Sequence, residues 1–355
     1  SMPRPRIVSG RWIECVPNIS EGRDAEVIDE IVDSARGFHG SAVLSAEPDA
    51  DYNRTVITIA GQAEPVTQAA ISLIRKSAEL IDMRLHSGSH PRMGAVDVCP
   101  FVPLAEGTHG DCMASAASVM EAVGDDIPVY LYGDAATSRP RAQLAKLRRG
   151  QYEALEARLS GGVWDDEDTR LPDRWSGSWG ESEKRFGAMG GGVRQVLVAY
   201  NVNVDESEPL VSKAAASLIR TSGRVIKGTD GQKMRVPGML QNVQGMGVGL
   251  PTHGICQVSM NLQDVSITPL HMAFEAVNSI AADHGVSTCG SELVGLVPLS
   301  AVLESGRWYH EDPDSANAEE LVDAAVMGLG LDQLEPFDAH NSIIEWSLDR
   351  KFGGD

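Results

Sequence analysis

Ile81-Asp82-Met83-Arg84-Leu85-His86-Ser87-Gly88-Ser89-His90-Pro91-Arg92-Met93-Gly94-Ala95-Val96-Asp97-Val98-Cys99-Pro100-Phe101-Val102-Pro103-Leu104 changes character twice. It closes an amphipathic run, crosses a polar segment and enters an apolar one. His86 and His90 stand four apart, which on a helix would put them on one face. Gly88 disfavours a helix there and Pro91 breaks one. The stretch therefore predicts a helix ending near Asp82, a polar loop, and a strand over 96–102. Two His, two Arg and two Asp lie on or beside a loop carried by a rigid strand, where binding and catalysis concentrate.

Outward from this point the alternation of strands and helices continues. Before it, 12–17 reads as a short strand, and Asp24 is placed to cap a helix over 25–36. Residues 41–46 read as a strand, 47–53 as an acidic turn, and 54–61 (RTVITIAG) as an alternating strand. A long amphipathic helix over 64–82 delivers the chain into the loop. After it come helix 111–123, strand 128–132, a basic helix over 139–148 and a short helix over 151–159.

Residues 160–192 have no period and read as an interdomain linker or a long functional loop. Trp164, Trp175 and Trp179 argue against a plain linker. Then come strand 193–204, helix 208–221, a polar connection over 223–237, and strands 240–249 and 256–262. Helix 268–284 follows, with Pro269 at its first position, then strand 292–298 and helix 316–327. Two mixed α/β halves follow from this order, divided as 3–185 and 186–355, with a site between them as the default expectation.

The 355 residues are 42% hydrophobic and 23% charged, with length for two domains. Ser1-Met2 reads as a cleavage remnant. No apolar leader follows, and no uncharged apolar run approaches the ~18 residues of a membrane span. The net charge of −20 disfavours nucleic acid and anionic membranes as partners. An anionic substrate would need locally gathered Arg or Lys. Five cysteines without a CxxC spacing suggest free, buried thiols in a reducing cytoplasm.

The residues at this point resemble the formiminotransferase family. The resemblance rests on 14–24 (ECVPNISEGRD), 53–56 (NRTV), 81–100 (IDMRLHSGSHPRMGAVDVCP), 128–133 (PVYLYG), 198–203 (VAYNVN), 257–262 (QVSMNL) and 291–299 (SELVGLVPL). The stretch from 86, HSGSHPRMGAVDVCPF, is long and unusual. The family is found alone or fused to a cyclodeaminase; here only the transferase part is matched. The resemblance implies an α/β fold of two subdomains whose sheets face each other, with helices outside. It implies a transferase of one-carbon metabolism and histidine degradation that moves a formimidoyl group from N-formimino-L-glutamate to N5 of tetrahydrofolate, without a metal. A cytoplasmic homodimer is the expected form.

It also implies roles for residues. The histidine before Pro-Arg-Met-Gly, here His90, is the acid/base, and Glu47 stands where the family has a carboxylate to orient it. An imidazole with a pKa near ~6.5 can take and return a proton at neutral pH. Both substrates carry carboxylates, for which Arg54, Arg92 and Arg194 are the candidate partners. His86 and Asn18 join them as candidate substrate contacts. The family's folate lies against the segment that corresponds to 160–192, which assigns folate contacts to Trp175, Phe186, Gly187 and Ala188. That segment also departs most from the family pattern, which leaves two alternatives. One is folate-dependent formimino or formyl transfer from another donor. The other is a non-catalytic folate-binding homologue.

Each of these residues has a structural alternative. His90 or His86 could simply order the loop. Arg92 could pair with Asp82 or Asp97, and Arg54 with nearby acids. Asn18 could serve its turn alone. The GAMGGG run at 187–192 lacks the GK[ST] end of a phosphate loop and precedes a strand, leaving turn geometry or close backbone approach to a ligand.

Overall fold

The computed structural model describes residues 11–353, which form two compact units. The chain crosses from one to the other after Gln195, and the terminal 351–353 return to the first.

The first unit is built on strands β1 (Trp12–Cys15), β2 (Asn18–Ile19), β3 (Ser41–Asp49), β4 (Arg54–Gln62), β5 (Val96–Pro103), β6 (Val129–Gly133) and β7 (Met189–Val193). β1 and β2 are successive pieces of one line between β4 and β5, so the order is β3, β4, β1/β2, β5, β7, β6. The first four positions are antiparallel, while β7 runs parallel to β5 and β6. Helices α1 (Ala25–Ser34), α2 (Ala63–Leu80) and α3 (His109–Val123) cover the sheet. Asp24 caps α1 by accepting from the Glu26 and Val27 N–H groups. In α2 the buried Val66, Ala69, Ala70, Leu73 and Ile74 recur at helical spacing. They meet Ile13, Cys15, Ile57, Ile59 and Phe101 of the sheet in one apolar cluster.

The second unit has β8 (Val198–Val204), β9 (Arg224–Lys227), β10 (Lys233–Val236), β11 (Val243–Leu250), β12 (Ile255–Leu262) and β13 (Thr288–Val294). Its main sheet is antiparallel in the order β11, β12, β8, β13; β9 and β10 form a separate hairpin. Helices α4 (Leu210–Ile219), α5 (Leu270–Asp283), α6 (Leu299–Tyr309) and α7 (Ala318–Leu329) bury the even-numbered residues of β8 (Val198, Tyr200, Val202, Val204). Strand, helix, two strands, helix, strand is the split β-α-β plan. The first unit repeats it with β1/β2, α1, β3, β4, α2 and β5, and adds α3, β6 and β7 at the β5 edge. Both halves are therefore α/β with mixed strands and helices, the class read from the sequence.

Several local expectations change. Of the acidic turn expected over 47–53, residues 50–53 do turn, but Glu47, Pro48 and Asp49 are the end of β3, paired with Val56, Thr55 and Arg54. Pro48 is tolerated because β3 is an edge strand. The basic helix over 139–148 is two short pieces, 139–142 and 144–147, because buried Arg141 is drawn to the Asp168 and Leu171 carbonyls and the Asp173 carboxylate. The polar connection 223–237 contains the β9–β10 hairpin. The strand expected over 193–204 is two strands in different units, which moves the division from 185/186 to 195/196. Strand 292–298 begins earlier, at Thr288, and Pro269 is the N-cap of α5 rather than its first residue.

The 160–192 segment is folded into the first unit, without the character of a linker. Arg158, only 1% exposed, donates to the carbonyls of Leu147, Thr169 and Arg170. Its guanidinium lies 4.3 Å from the Trp164 ring centroid and 4.5 Å from that of Tyr130. The glycines of 190–192 are the middle of β7. A Cβ on Gly192 would stand 2.5 Å from the Tyr132 ring, so they make room for β6 side chains. All five cysteines are free thiols, four of them buried. No helix among the described residues is long and apolar enough to cross a membrane.

Candidate active site

The loop between α2 and β5 is held from three sides. At its entry, Asp82 accepts from the Arg84 N–H and pairs with the Arg84 guanidinium. In its middle, a Cβ on Gly88 would lie 2.3 Å from the Tyr52 carbonyl oxygen, so the loop lies against the β3–β4 turn. At its exit, a Cβ on Gly94 would lie 2.1 Å from the Ala188 carbonyl oxygen. There the Ala188 N–H donates to Met93 and the Ala95 N–H donates to Phe186.

Asn53 ties the turn to the loop. Its φ of 51° is left-handed, a conformation that Asn tolerates better than most residues. Its amide oxygen accepts from the Gly22 N–H at 2.9 Å, and its amide nitrogen donates to the Ser87 carbonyl at 2.9 Å. The pairing of β2 with β5 slips by one residue, from Asn18–Val98 to Ile19–Val96, leaving Asp97 as the extra residue of a bulge. Bulges re-aim side chains beside sites. Asp97, 2% exposed, accepts from the Met93 N–H at 2.8 Å and from Arg148 at 2.5 Å.

These elements close round a tightly packed pocket lined by Ser20, Tyr52, Asn53, Arg54, His86, His90, Arg92 and Asp97. The two histidines in it are differently engaged. His86 Nδ1 lies 3.0 Å from Arg92 Nε, which can only donate, so the ring proton sits on Nε2 and is donated to the Asn53 carbonyl at 2.8 Å. His86 is fully occupied by structure. His90 Nε2 lies 2.6 Å from Arg54 Nη1. By the same logic its Nε2 carries a lone pair, and the neutral ring holds its proton on Nδ1. Burial, then the charges of Arg54 and Arg148, push its pKa down to about 3, against a raising hydrogen bond to the Pro91 backbone. The His86 pKa is also lowered, chiefly by burial, although its bond to Asn53 opposes this.

The arginines differ as sharply. Arg92 is 7% exposed, and both its terminal nitrogens reach the Glu153 carboxylate, at 2.9 and 2.7 Å. Its ion-pair partner is thus Glu153, in place of Asp82 or Asp97. Arg54 has no carboxylate within ion-pair distance among the described residues. Its Nε is buried without a partner, and its guanidinium lies 5.3 Å from the Tyr52 ring centroid. Burial lowers its pKa, while Tyr52 and Asp49 oppose that shift.

Other sequence-predicted residues lie elsewhere. Glu47, on β3 opposite Val56, shares a sheet face with Asp49 and Arg54 but does not line the pocket; the group on the His90 lone pair is Arg54. Asn18 donates to the Val16 carbonyl. Arg194 is half-buried after β7 and bonds to the Gln195 carbonyl. Phe186 is 2% exposed in the core, and with Gly187 and Ala188 it pins the loop exit. The Trp175 indole faces the buried Glu183 carboxylate at 3.4 Å. Sequence reasoning missed Tyr52, Ser20, Asn53, Asp97 and Arg148 as site residues. Asn53 and Asp97 lie inside the stretches NRTV and GAVDVC, so their signal was present. Arg148 carried none, because its pairing across to β5 depends on tertiary packing.

The pattern of this loop and of both units has counterparts in known proteins. The family model described as the formiminotransferase domain, N-terminal subdomain, matches residues 12–190, and that of the formiminotransferase domain matches 199–349. The chain belongs to the formiminotransferase family. Two glutamate formimidoyltransferases match this family member over nearly their full length. That of Streptococcus pyogenes is 33% identical over 89% of this chain and 99% of its own. That of Thermoplasma acidophilum is 36% identical over 84% of this chain and 91% of its own. The formimidoyltransferase-cyclodeaminase of Rattus norvegicus is 38% identical over 94% of this chain, which spans 59% of that protein's length. Among the described residues no group of three His, Cys, Asp or Glu is placed to hold a metal ion.

Proposed function

We propose that this formiminotransferase-family protein is a glutamate formimidoyltransferase that uses His90 as its acid/base. The donor is N-formimino-L-glutamate and the acceptor is N5 of tetrahydrofolate, a step that recovers the one-carbon unit of histidine degradation. The observation that carries the reading is a neutral imidazole in the pocket whose lone-pair nitrogen is met only by Arg54, an arginine without an ion-pair carboxylate among the described residues.

The chemistry follows from those groups. N5 attacks the amidine carbon, and the tetrahedral adduct gathers positive charge on N5. His90 Nε2 takes the proton from N5 and returns it to the glutamate nitrogen. The carbon–nitrogen bond to glutamate then breaks, and L-glutamate leaves as the amine. No net proton is gained or lost, so one imidazole serves both halves. Arg54 supplies the positive charge that a chain of net charge −20 must gather locally for an anionic donor.

The test uses purified protein with tetrahydrofolate and formiminoglutamate. The expected result is a rise in 5-formiminotetrahydrofolate absorbance together with stoichiometric L-glutamate. Tight folate binding without turnover would favour the non-catalytic reading instead.

A further inference from the structure

Arg54 and His90 make an unusual pair. A guanidinium donates to the one nitrogen that the proposed chemistry requires to be free. A hydrogen bond from a cation to a neutral ring leaves the positive charge uncompensated. The pocket offers Arg54 nothing better. Asp97 is spent on Arg148 and the Met93 N–H. Asp49, across the β3–β4 register, accepts from the Tyr52 N–H. Glu153 is bound by Arg92 on both oxygens. The Arg54 Nε, buried and without a partner, is a second unmet donor on the same planar fork. A half-buried, half-satisfied cation of this kind gains from a carboxylate that can accept two parallel bonds.

We propose that Arg54 is a removable cap on His90. A carboxylate of the donor accepts bidentately from the Arg54 fork and draws Nη1 off the imidazole, which uncovers the lone pair as the donor arrives. The inference rests on the proposed function for the identity of the donor, but the cap itself requires only a carboxylate ligand. The exchange breaks one cation-to-imidazole hydrogen bond and forms two charge-assisted ones. The arriving anion also offsets the guanidinium charge, so the imidazole can hold a proton more readily. In the capped state burial and the Arg54 and Arg148 charges hold the His90 pKa down to about 3, too low for an efficient acid/base near neutrality. The carboxylate thereby raises the proton affinity of the base it uncovers. Tyr52, with its ring centroid 5.6 Å from that of His90 and 5.3 Å from the Arg54 guanidinium carbon, flanks both states. Without donor, the base is covered and water has no free imidazole to use.

The test is nitrogen NMR of the full chain with ¹⁵N-labelled histidine, titrated with and without glutarate. Glutarate has the donor's two carboxylates and no formimino group. Without it, His90 should stay neutral down to at least about pH 4. Saturating glutarate should raise the His90 midpoint by about one pH unit or more and move its Nε2 shift, while the diamide of glutaric acid leaves both unchanged. In Arg54→Gln the midpoint should already be raised without ligand, and glutarate should add nothing. His86 shifts that match those of the wild type would establish that the variant is folded. The cap is overturned if saturating glutarate leaves the wild-type His90 titration unchanged, or if glutarate does not bind at all. Neither result depends on turnover. Loss of transfer activity in the wild type would sink the proposed donor and acceptor, while the titration still decides the cap.

Discussion

The two units share one chain plan and differ in what its connections carry. Each is strand, helix, two strands, helix, strand, with the four core positions in the same spatial order. In the first unit the connection from the second helix to the last strand runs over 81–95 and carries His86, His90 and Arg92. In the second unit the equivalent connection is 284–287. Its one histidine, His284, bonds through Nδ1 to the Ile280 carbonyl and so finishes the α5 helix. The hairpin turns differ likewise. Residues 50–53 present Tyr52 and the left-handed Asn53 to the pocket. Residues 251–254 are a short 3₁₀ turn ending at Gly254, whose φ is 66°. The frame is therefore neutral with respect to chemistry, and the site is a graft on two loops of one copy.

That contrast can be broken most forcefully at His90. Replacing it by alanine should lower kcat by about 10²- to 10⁴-fold, the usual worth of a positioned acid/base. Stability should stay within about 1 kcal/mol, because the residue sits on a loop rather than in a core. A large fall in thermal midpoint would return His90 to the structural role that His284 plays in the other unit. Asp97 is the next strongest test. Asp97→Ala leaves Arg148 and the Met93 N–H without their acceptor and should cost about 3 kcal/mol in urea unfolding. Asn53→Ala keeps the left-handed φ but loses the bonds to Gly22 and Ser87, for about 2 kcal/mol and a weakened loop. Its counterpart Gly254→Ala meets no neighbouring atom and pays only for its backbone, about 1 kcal/mol, with transfer activity unchanged.

A further test is the pH dependence of stability. An unfolded histidine titrates near ~6.5, whereas His90 is held near about 3 and His86 is also lowered. Between those values the unfolded chain binds more protons, so stability is full above about pH 6.5 and falls as pH drops toward 3. Urea midpoints at successive pH values from 7 to 5 should show this slope, and His90→Ala should flatten it. An unchanged slope would mean that the ring is not held neutral.

Much of the frame was legible because it obeys local rules. Periodicity located α2 and α5, and β-branched alternation located β4. Gly88 and Pro91 correctly excluded a helix through the two histidines. What failed did so for tertiary reasons. The 187–192 run read as a turn or ligand loop; Gly187 does turn, with a φ of 82°, but Gly190, Gly191 and Gly192 lie in the buried strand β7, where a side chain on Gly192 would meet the Tyr132 ring. The acidic 47–49 segment became strand because an edge position can accept Pro48. Within the site, His90 and Arg54 were visible as types in a recognisable stretch, whereas their mutual contact was not. Glu47 was assigned the orienting role from its place in the family pattern, and its position on β3 puts it on the sheet face of Arg54. Arg92 could not be told from Arg54 until Glu153, far along the chain, was seen to occupy it. The backbone of Phe186, Gly187 and Ala188 also pins the loop exit, a role that their place in the sequence did not reveal.

The most direct test of the central claim follows the transferred carbon itself. Formiminoglutamate labelled with ¹³C in the formimino group is incubated with tetrahydrofolate and either the wild-type protein or His90→Ala, and the label is followed by NMR. The account predicts that in the wild type the label moves from the glutamate nitrogen to N5 as unlabelled L-glutamate is released, and that in His90→Ala it stays on the donor over the same period. Label reaching N5 at equal rates in both proteins, or remaining on glutamate in the wild type, would contradict it.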